Sequence, residues 1–156
     1  MNKKRIIILI VILIIALGTF WFFKSPSEKP GEAVSIQPNE IIKPGDPLPG
    51  LYLTNPPVSG WHYADKANWG VYTEELPDQT LIANLEDGGV WISYHPDAPP
   101  EMVESLNKIV SEYKTGVILT PRTSSDKLIS LAAWGRLDKF DYFDEARILK
   151  FIKAYK

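Results

Sequence analysis

Apolar and polar positions change rhythm several times along this chain, and each rhythm predicts an element. Eighteen residues from Ile6 to Phe23 carry no charge. As a helix rising about 1.5 Å per residue, that run is about 27 Å long, close to the ~30 Å hydrocarbon core of a bilayer. Arg5 and Lys24 are placed to snorkel, and Phe20-Trp21-Phe22-Phe23 clusters at one interface. The reading is one N-terminal transmembrane helix over 6–23. A cleaved signal peptide is the alternative, but its apolar region runs only about 7–15 residues and ends at small residues. Here Ala16-Leu17-Gly18 is followed by more apolar residues. Residues 24–50 hold six prolines and show no period. They read as a Pro-rich linker, expected to be mostly disordered.

Residues 51–156 carry the folding pattern. Leu51 to Thr54 suggests a short strand. Asn55-Pro56-Pro57-Val58-Ser59-Gly60 must be an irregular turn, because two prolines remove two backbone donors and Gly60 permits positive φ. Leu81–Leu85 and Val90–Tyr94 read as a hairpin pinched at Asp87-Gly88-Gly89, with Val90, Ile92 and Tyr94 on one face. Pro99 or Pro100 suits the first turn of a helix running to about Lys114. Val103, Leu106, Ile109, Val110 and Tyr113 form its apolar stripe, and Gly116 ends it. Val117–Thr120 and Leu128–Trp134 read as strands. Asp144 to Tyr155 reads as a last helix, with Ile148, Leu149, Ile152 and Tyr155 inward. The order predicts an α+β domain: a small antiparallel or mixed sheet with two helices, over 51–156.

Charge adds location. Met1-Asn2-Lys3-Lys4-Arg5 is basic, and residues 1–24 hold four of the seventeen Lys and Arg but none of the nineteen acids. The positive-inside rule leaves tail 1–5 in the cytoplasm and the domain extracytoplasmic, with the chain single-pass in the cell membrane. The remaining chain carries thirteen basic against nineteen acidic residues, a net −6. That balance speaks against nucleic acid, which needs a cationic face, and against lying flat on anionic lipid. With no cysteine, disulfides, thiolate metal sites and cysteine nucleophiles are excluded.

The candidate chemistry is sparse. His62 follows the stiff Pro-Pro turn and can bind a metal or shuttle protons; equally, its ring can bond to backbone inside the turn. His95, between Tyr94 and Pro96, reads as a loop residue. Glu86 and Asp87 are adjacent acids that can do acid–base work or hold a cation, or can simply supply turn chemistry. No Gly-x-Ser-x-Gly elbow surrounds Ser59, no phosphate-cradling Gly loop occurs, and Ser124-Ser125-Asp126 is a loop. Trp61, Trp69, Trp91 and Trp134 are many for one small domain, and suit a core better than a ligand platform. Arg136, after Trp134-Gly135, is a candidate partner for an acid of the turn.

Four segments together carry a resemblance: Asn55-Pro56-Pro57-Val58-Ser59-Gly60-Trp61-His62-Tyr63, Trp69-Gly70-Val71-Tyr72, Asn84-Leu85-Glu86-Asp87-Gly88-Gly89-Val90 and Leu131-Ala132-Ala133-Trp134-Gly135-Arg136. In this order they resemble the bacterial family called domain of unknown function 3105, over about Leu51 to Tyr155. The resemblance implies one membrane span followed by an extracytoplasmic domain. The family's central motif resembles His-Asn-Leu-Glu-His-Gly-Gly, so the resemblance implies a three-histidine set, suited to zinc, copper or nickel, beside a Glu. This chain has Ala83 and Asp87 where two of those imidazoles would stand, and keeps His62 and Glu86. One imidazole and two acids favour a harder, more weakly bound cation. Pro56, Pro57, Ser59, Gly60, Asn84, Gly88, Gly89, Trp134 and Arg136 are expected to shape the turn or pocket.

The reading is a non-enzymatic binding or interaction module of the cell envelope, with a protein partner there. The alternatives are a metal-binding module, zinc or copper type but degenerate, with ligands His62, Glu86 and Asp87, and a hydrolase-like enzyme using His62 with Glu86 or Asp87. A divalent metal is the one cofactor this pattern suggests.

Overall fold

The computed structural model describes residues 29–156. The expected tail 1–5 and membrane span 6–23 lie outside the described residues. Among those described, no helix is long and apolar enough to cross a membrane.

Strand β1 is Glu32–Ala33, β2 Gly70–Val71, β3 Val90–Tyr94, β4 Val117–Pro121, β5 Ile129–Ala133 and β6 Arg136–Phe140. Helix α1 is Asp78–Glu86, α2 Pro100–Ser111 and α3 Glu145–Tyr155. The six strands form one mixed sheet in the order β1-β6-β5-β3-β4-β2. β3 and β4 run parallel, joined by α2, because a parallel pair needs a crossover rather than a tight turn. β5 and β6 form an antiparallel hairpin through Trp134-Gly135, where Gly135 takes φ +68°. The α+β class is therefore as expected.

Alternation along the central strands gives the sheet two buried faces. Val90, Ile92, Val117, Leu119, Ile129 and Leu131 face α2 and α3, meeting Leu106, Val110, Ile148 and Phe151. Trp91, Ile118 and Ala132 face the other way, onto Leu81 and Leu85 of α1 and onto Val58. Helices α2 and α3 follow the predicted stripes closely. Pro100 opens α2, and the Asp144 carboxylate caps α3 by accepting from the Arg147 N–H at 2.9 Å.

Three expectations are corrected. Leu81–Leu85 is not the first strand of a hairpin but the second half of α1, a third helix. Gly88 and Gly89 end that helix: the Gly88 N–H donates to the Leu85 carbonyl at 3.0 Å and the Gly89 N–H to the Asn84 carbonyl at 3.1 Å. Gly88 stands at φ +81°. This is a Schellman cap, which uses the same glycines as a hairpin turn. Second, Leu51–Thr54 forms no strand, because nothing on the sheet pairs with it; Leu51 and Leu53 stay exposed. Third, the later part of the Pro-rich stretch lies against the domain. Glu32 and Ala33 pair with Leu137 and Arg136 at the sheet edge, and Gln37 bonds Ser59, Leu51 and Leu53. Prolines remove ladder donors, but the residues between them keep theirs and use them.

Gly89 carries a further requirement. A Cβ there would sit 2.3 Å from the Trp69 ring and 2.9 Å from the Asn84 carbonyl oxygen, the acceptor of the helix cap itself. Gly89→Ala must push the indole away or break the cap. It is expected to cost about 1–3 kcal/mol of stability, measured by urea denaturation.

Candidate functional site

The Pro-Pro segment delivers His62. Pro56, Pro57, Val58, Ser59 and Gly60 are all buried. The Val58 carbonyl accepts from the Gly135 N–H, and Ser59 Oγ accepts from the Gln37 N–H, both at 3.0 Å. Gly60 takes φ +118° with the Tyr52 ring packed where a side chain would begin. The Tyr52 hydroxyl donates to the Trp61 carbonyl at 2.7 Å. Burial, with a smaller contribution from the charge of Asp78, pushes that phenol up to about 12, so it stays a donor. His62 itself is bridged to the 40–42 segment. Its N–H donates to the Glu40 carbonyl, and its carbonyl accepts from the Ile42 N–H at 2.9 Å. Only 2% of the residue is exposed.

Helix α1 supplies the opposite wall. Ala83, Glu86 and Asp87 stand at i, i+3 and i+4, so they share one helix face. Glu86 Oε2 lies 2.9 Å from His62 Nε2, while its other oxygen accepts from Asn39 Nδ2. Asp87 pairs with the Lys66 ammonium. Asn84 points the other way and is fully buried. Its Oδ1 accepts from the Ala67 N–H at 3.0 Å and its Nδ2 donates to the Ala67 carbonyl at 2.9 Å. That two-way clamp fixes the 60–69 segment to α1 and so sets the His62–Glu86 distance. Asn84→Ala leaves both Ala67 groups unpartnered and is expected to lower stability by about 1–3 kcal/mol, measured by thermal denaturation.

The result is a cleft of about 340 Å³ lined by residues 62–66 and by Ala83, Glu86 and Asp87, with Ile41 at its edge. Positions 62, 83, 86 and 87 do meet in one place. The cleft borders a larger, more apolar groove of about 670 Å³ formed by Ile41, Ile42, Pro44, Tyr63 and Pro77.

The chemistry of the cleft follows from what each polar atom already holds. His62 Nδ1 lies 2.9 Å from the Gly60 carbonyl, which can only accept, so Nδ1 carries a hydrogen. The Nε2–carboxylate contact then needs a hydrogen on one of its two atoms. Both ring nitrogens are thus occupied. Among the described residues, no three His, Cys, Asp or Glu side chains are grouped to hold a metal ion. The donors present fit a transition metal poorly, because the imidazole faces Glu86 and the Lys66 ammonium neutralises Asp87.

The remaining expected site residues lie elsewhere. Trp134 packs with the α1-facing cluster, and Arg136 does not reach the α1 acids; among the described residues it donates to the Gly31 carbonyl at 3.4 Å. His95 turns onto its own loop, Nδ1 accepting from the Asp97 N–H. Sequence reasoning missed Asn39 and Lys66, neither of which sits at a recognisable spacing from His62. It also missed Arg122, 5% exposed, which grips Asp78 at the first turn of α1.

A mixed sheet with α1 and a proline-rich coat on one face, α2 and α3 on the other, and a His–Glu cleft at the end of α1 defines the class. The chain belongs to the family described as "Protein of unknown function (DUF3105)", whose model matches residues 50–156. No curated protein and no solved structure matches the chain. Asn39, Glu40 and Ile41 lie before the matched range, yet they close one side of the cleft.

Proposed function

We propose that this protein is a membrane-anchored, extracytoplasmic binding module of the cell envelope and not an enzyme. Its ligand contacts the His62 cleft and the adjoining groove. The observation that carries this reading is the pairing within the cleft: His62 with Gly60 and Glu86, Asp87 with Lys66. The hydrolase alternative has the distance it needs, since His62 and Glu86 are in hydrogen-bond reach. It lacks the orientation, because a general base must keep one ring nitrogen for the nucleophile's proton. The open groove beside the cleft supports binding instead. Position outside the membrane rests on residues 1–23, as read from their hydropathy and charge.

Site-directed photo-crosslinking in intact cells tests this. A photoreactive residue at Ile41, on the groove, is expected to capture a discrete envelope component, and one at Glu112, at the C-terminal end of α2, is not. Equal capture at both positions, or none, would remove the cleft as the binding surface.

A further inference from the structure

Seven large hydrophobic side chains are strongly exposed among the described residues, and five of them fall within residues 36–53. Leu51 is 90% exposed, Leu53 61% and Ile36 53%. Leu51 and Leu53 belong together. The Gln37 side chain donates from Nε2 to the Leu51 carbonyl and accepts at Oε1 from the Leu53 N–H, which ties residue 37 to 51–53, while the Ile36 side chain packs at Gly135. Tyr52 turns inward to Gly60 and Trp61, so its neighbours Leu51 and Leu53 point outward together.

The chain's own connectivity says what this patch meets. Five residues, 24–28, separate Phe23 from Lys29, a reach of at most about 20 Å. The chain is then fixed at once. The Tyr155 hydroxyl donates to the Pro30 carbonyl at 2.6 Å, Glu32–Ala33 pairs with β6, and Gln37, which bonds Leu51 and Leu53, follows within seven residues of Pro30. Residues 29–53 hold two lysines and three acids, nearly neutral beside the acidic domain. We infer that Leu51 and Leu53 rest in the lipid interface, docking the domain on the bilayer by its 51–53 edge. This rests on the membrane anchor of the proposed function. It needs no cationic face, because the contact is apolar and suits a zwitterionic surface.

The chain has no cysteine, so single labels report cleanly. The full chain is reconstituted in phosphatidylcholine vesicles with a nitroxide at Leu51→Cys, Leu53→Cys, Glu112→Cys or Leu13→Cys. Collisions with oxygen and with a water-soluble nickel chelate are then compared. The expected result is a loss of nickel collisions and a gain of oxygen collisions at 51 and 53 relative to 112. A buried label at 13 with labels at 51 and 53 as aqueous as that at 112 overturns the docking and leaves the anchor standing. A fully aqueous label at 13 overturns both.

Discussion

Arg122→Ala is expected to lower the stability of the domain by about 3–5 kcal/mol, the largest single effect among its polar residues. The guanidinium is almost fully buried. Its Nε and Nη2 donate to the two oxygens of Asp78 at 2.9 and 2.8 Å, and Nη1 donates to Asn55. Its plane also lies over the Trp91 ring, 5.8 Å from the centroid. Truncation would leave Asp78 without its counter-charge at the first turn of α1 and would remove packing from the indole. Because Asn55 opens the Pro-Pro segment and Asp78 opens α1, the same change would loosen both walls of the cleft. Arg122→Lys keeps the charge but not the bidentate fork, and should recover only part of the loss. Urea denaturation followed by tryptophan fluorescence measures both. A loss below about 1 kcal/mol for Arg122→Ala would match an exposed ion pair and contradict the buried one.

The double substitution Ala83→His and Asp87→His is expected to create a zinc site where the present chain has none of comparable strength. Two histidines four residues apart on one helix face are a known zinc-binding spacing, and His62 faces that pair across the cleft. Removing Asp87 also frees the Lys66 ammonium to swing out, since it is half-exposed. Zinc affinity near 1 μM, about −8 kcal/mol, is the expected outcome by calorimetry. Each single variant should bind far more weakly, because tetrahedral zinc needs three protein ligands to hold well. If the double variant binds no better than the parent, positions 83 and 87 do not converge on His62 as described.

Helices α2 and α3 were legible because each has its own start signal and an apolar stripe long enough to fix its period. Strands β3, β4 and β5 were legible as short apolar runs between glycines and polar loops. The segment 81–94 was not, because Leu81-Ile82-Ala83-Asn84-Leu85 is too short for its period to separate strand from helix, and Gly88-Gly89 serves a hairpin turn or a Schellman cap equally well. The deciding fact is tertiary: the segment packs Leu81 and Leu85 on the Trp91 face of the sheet and pairs with none of its strands. In the same way, no local rule shows that Glu32–Ala33 adds an edge strand about 100 residues from its partner, or that Asn39 closes on Glu86. The candidate site was half legible. His62, Glu86 and Asp87 line one cleft, but their partners Gly60, Lys66 and Asn39 follow only from the fold. Arg136 was misplaced because adjacency to Trp134-Gly135 says nothing about which way a hairpin end points.

The occupancy of both His62 ring nitrogens is what separates a binding module from a hydrolase or a metal centre here. Long-range nitrogen–proton NMR of the imidazole measures it directly, and His95→Asn makes the assignment unambiguous in a chain with two histidines. The expected spectrum shows Nδ1 protonated and Nε2 hydrogen-bonded, with neither resonance moving when equimolar zinc is added. An Nε2 resonance of a free, unbonded nitrogen, or one that shifts with zinc, would contradict it.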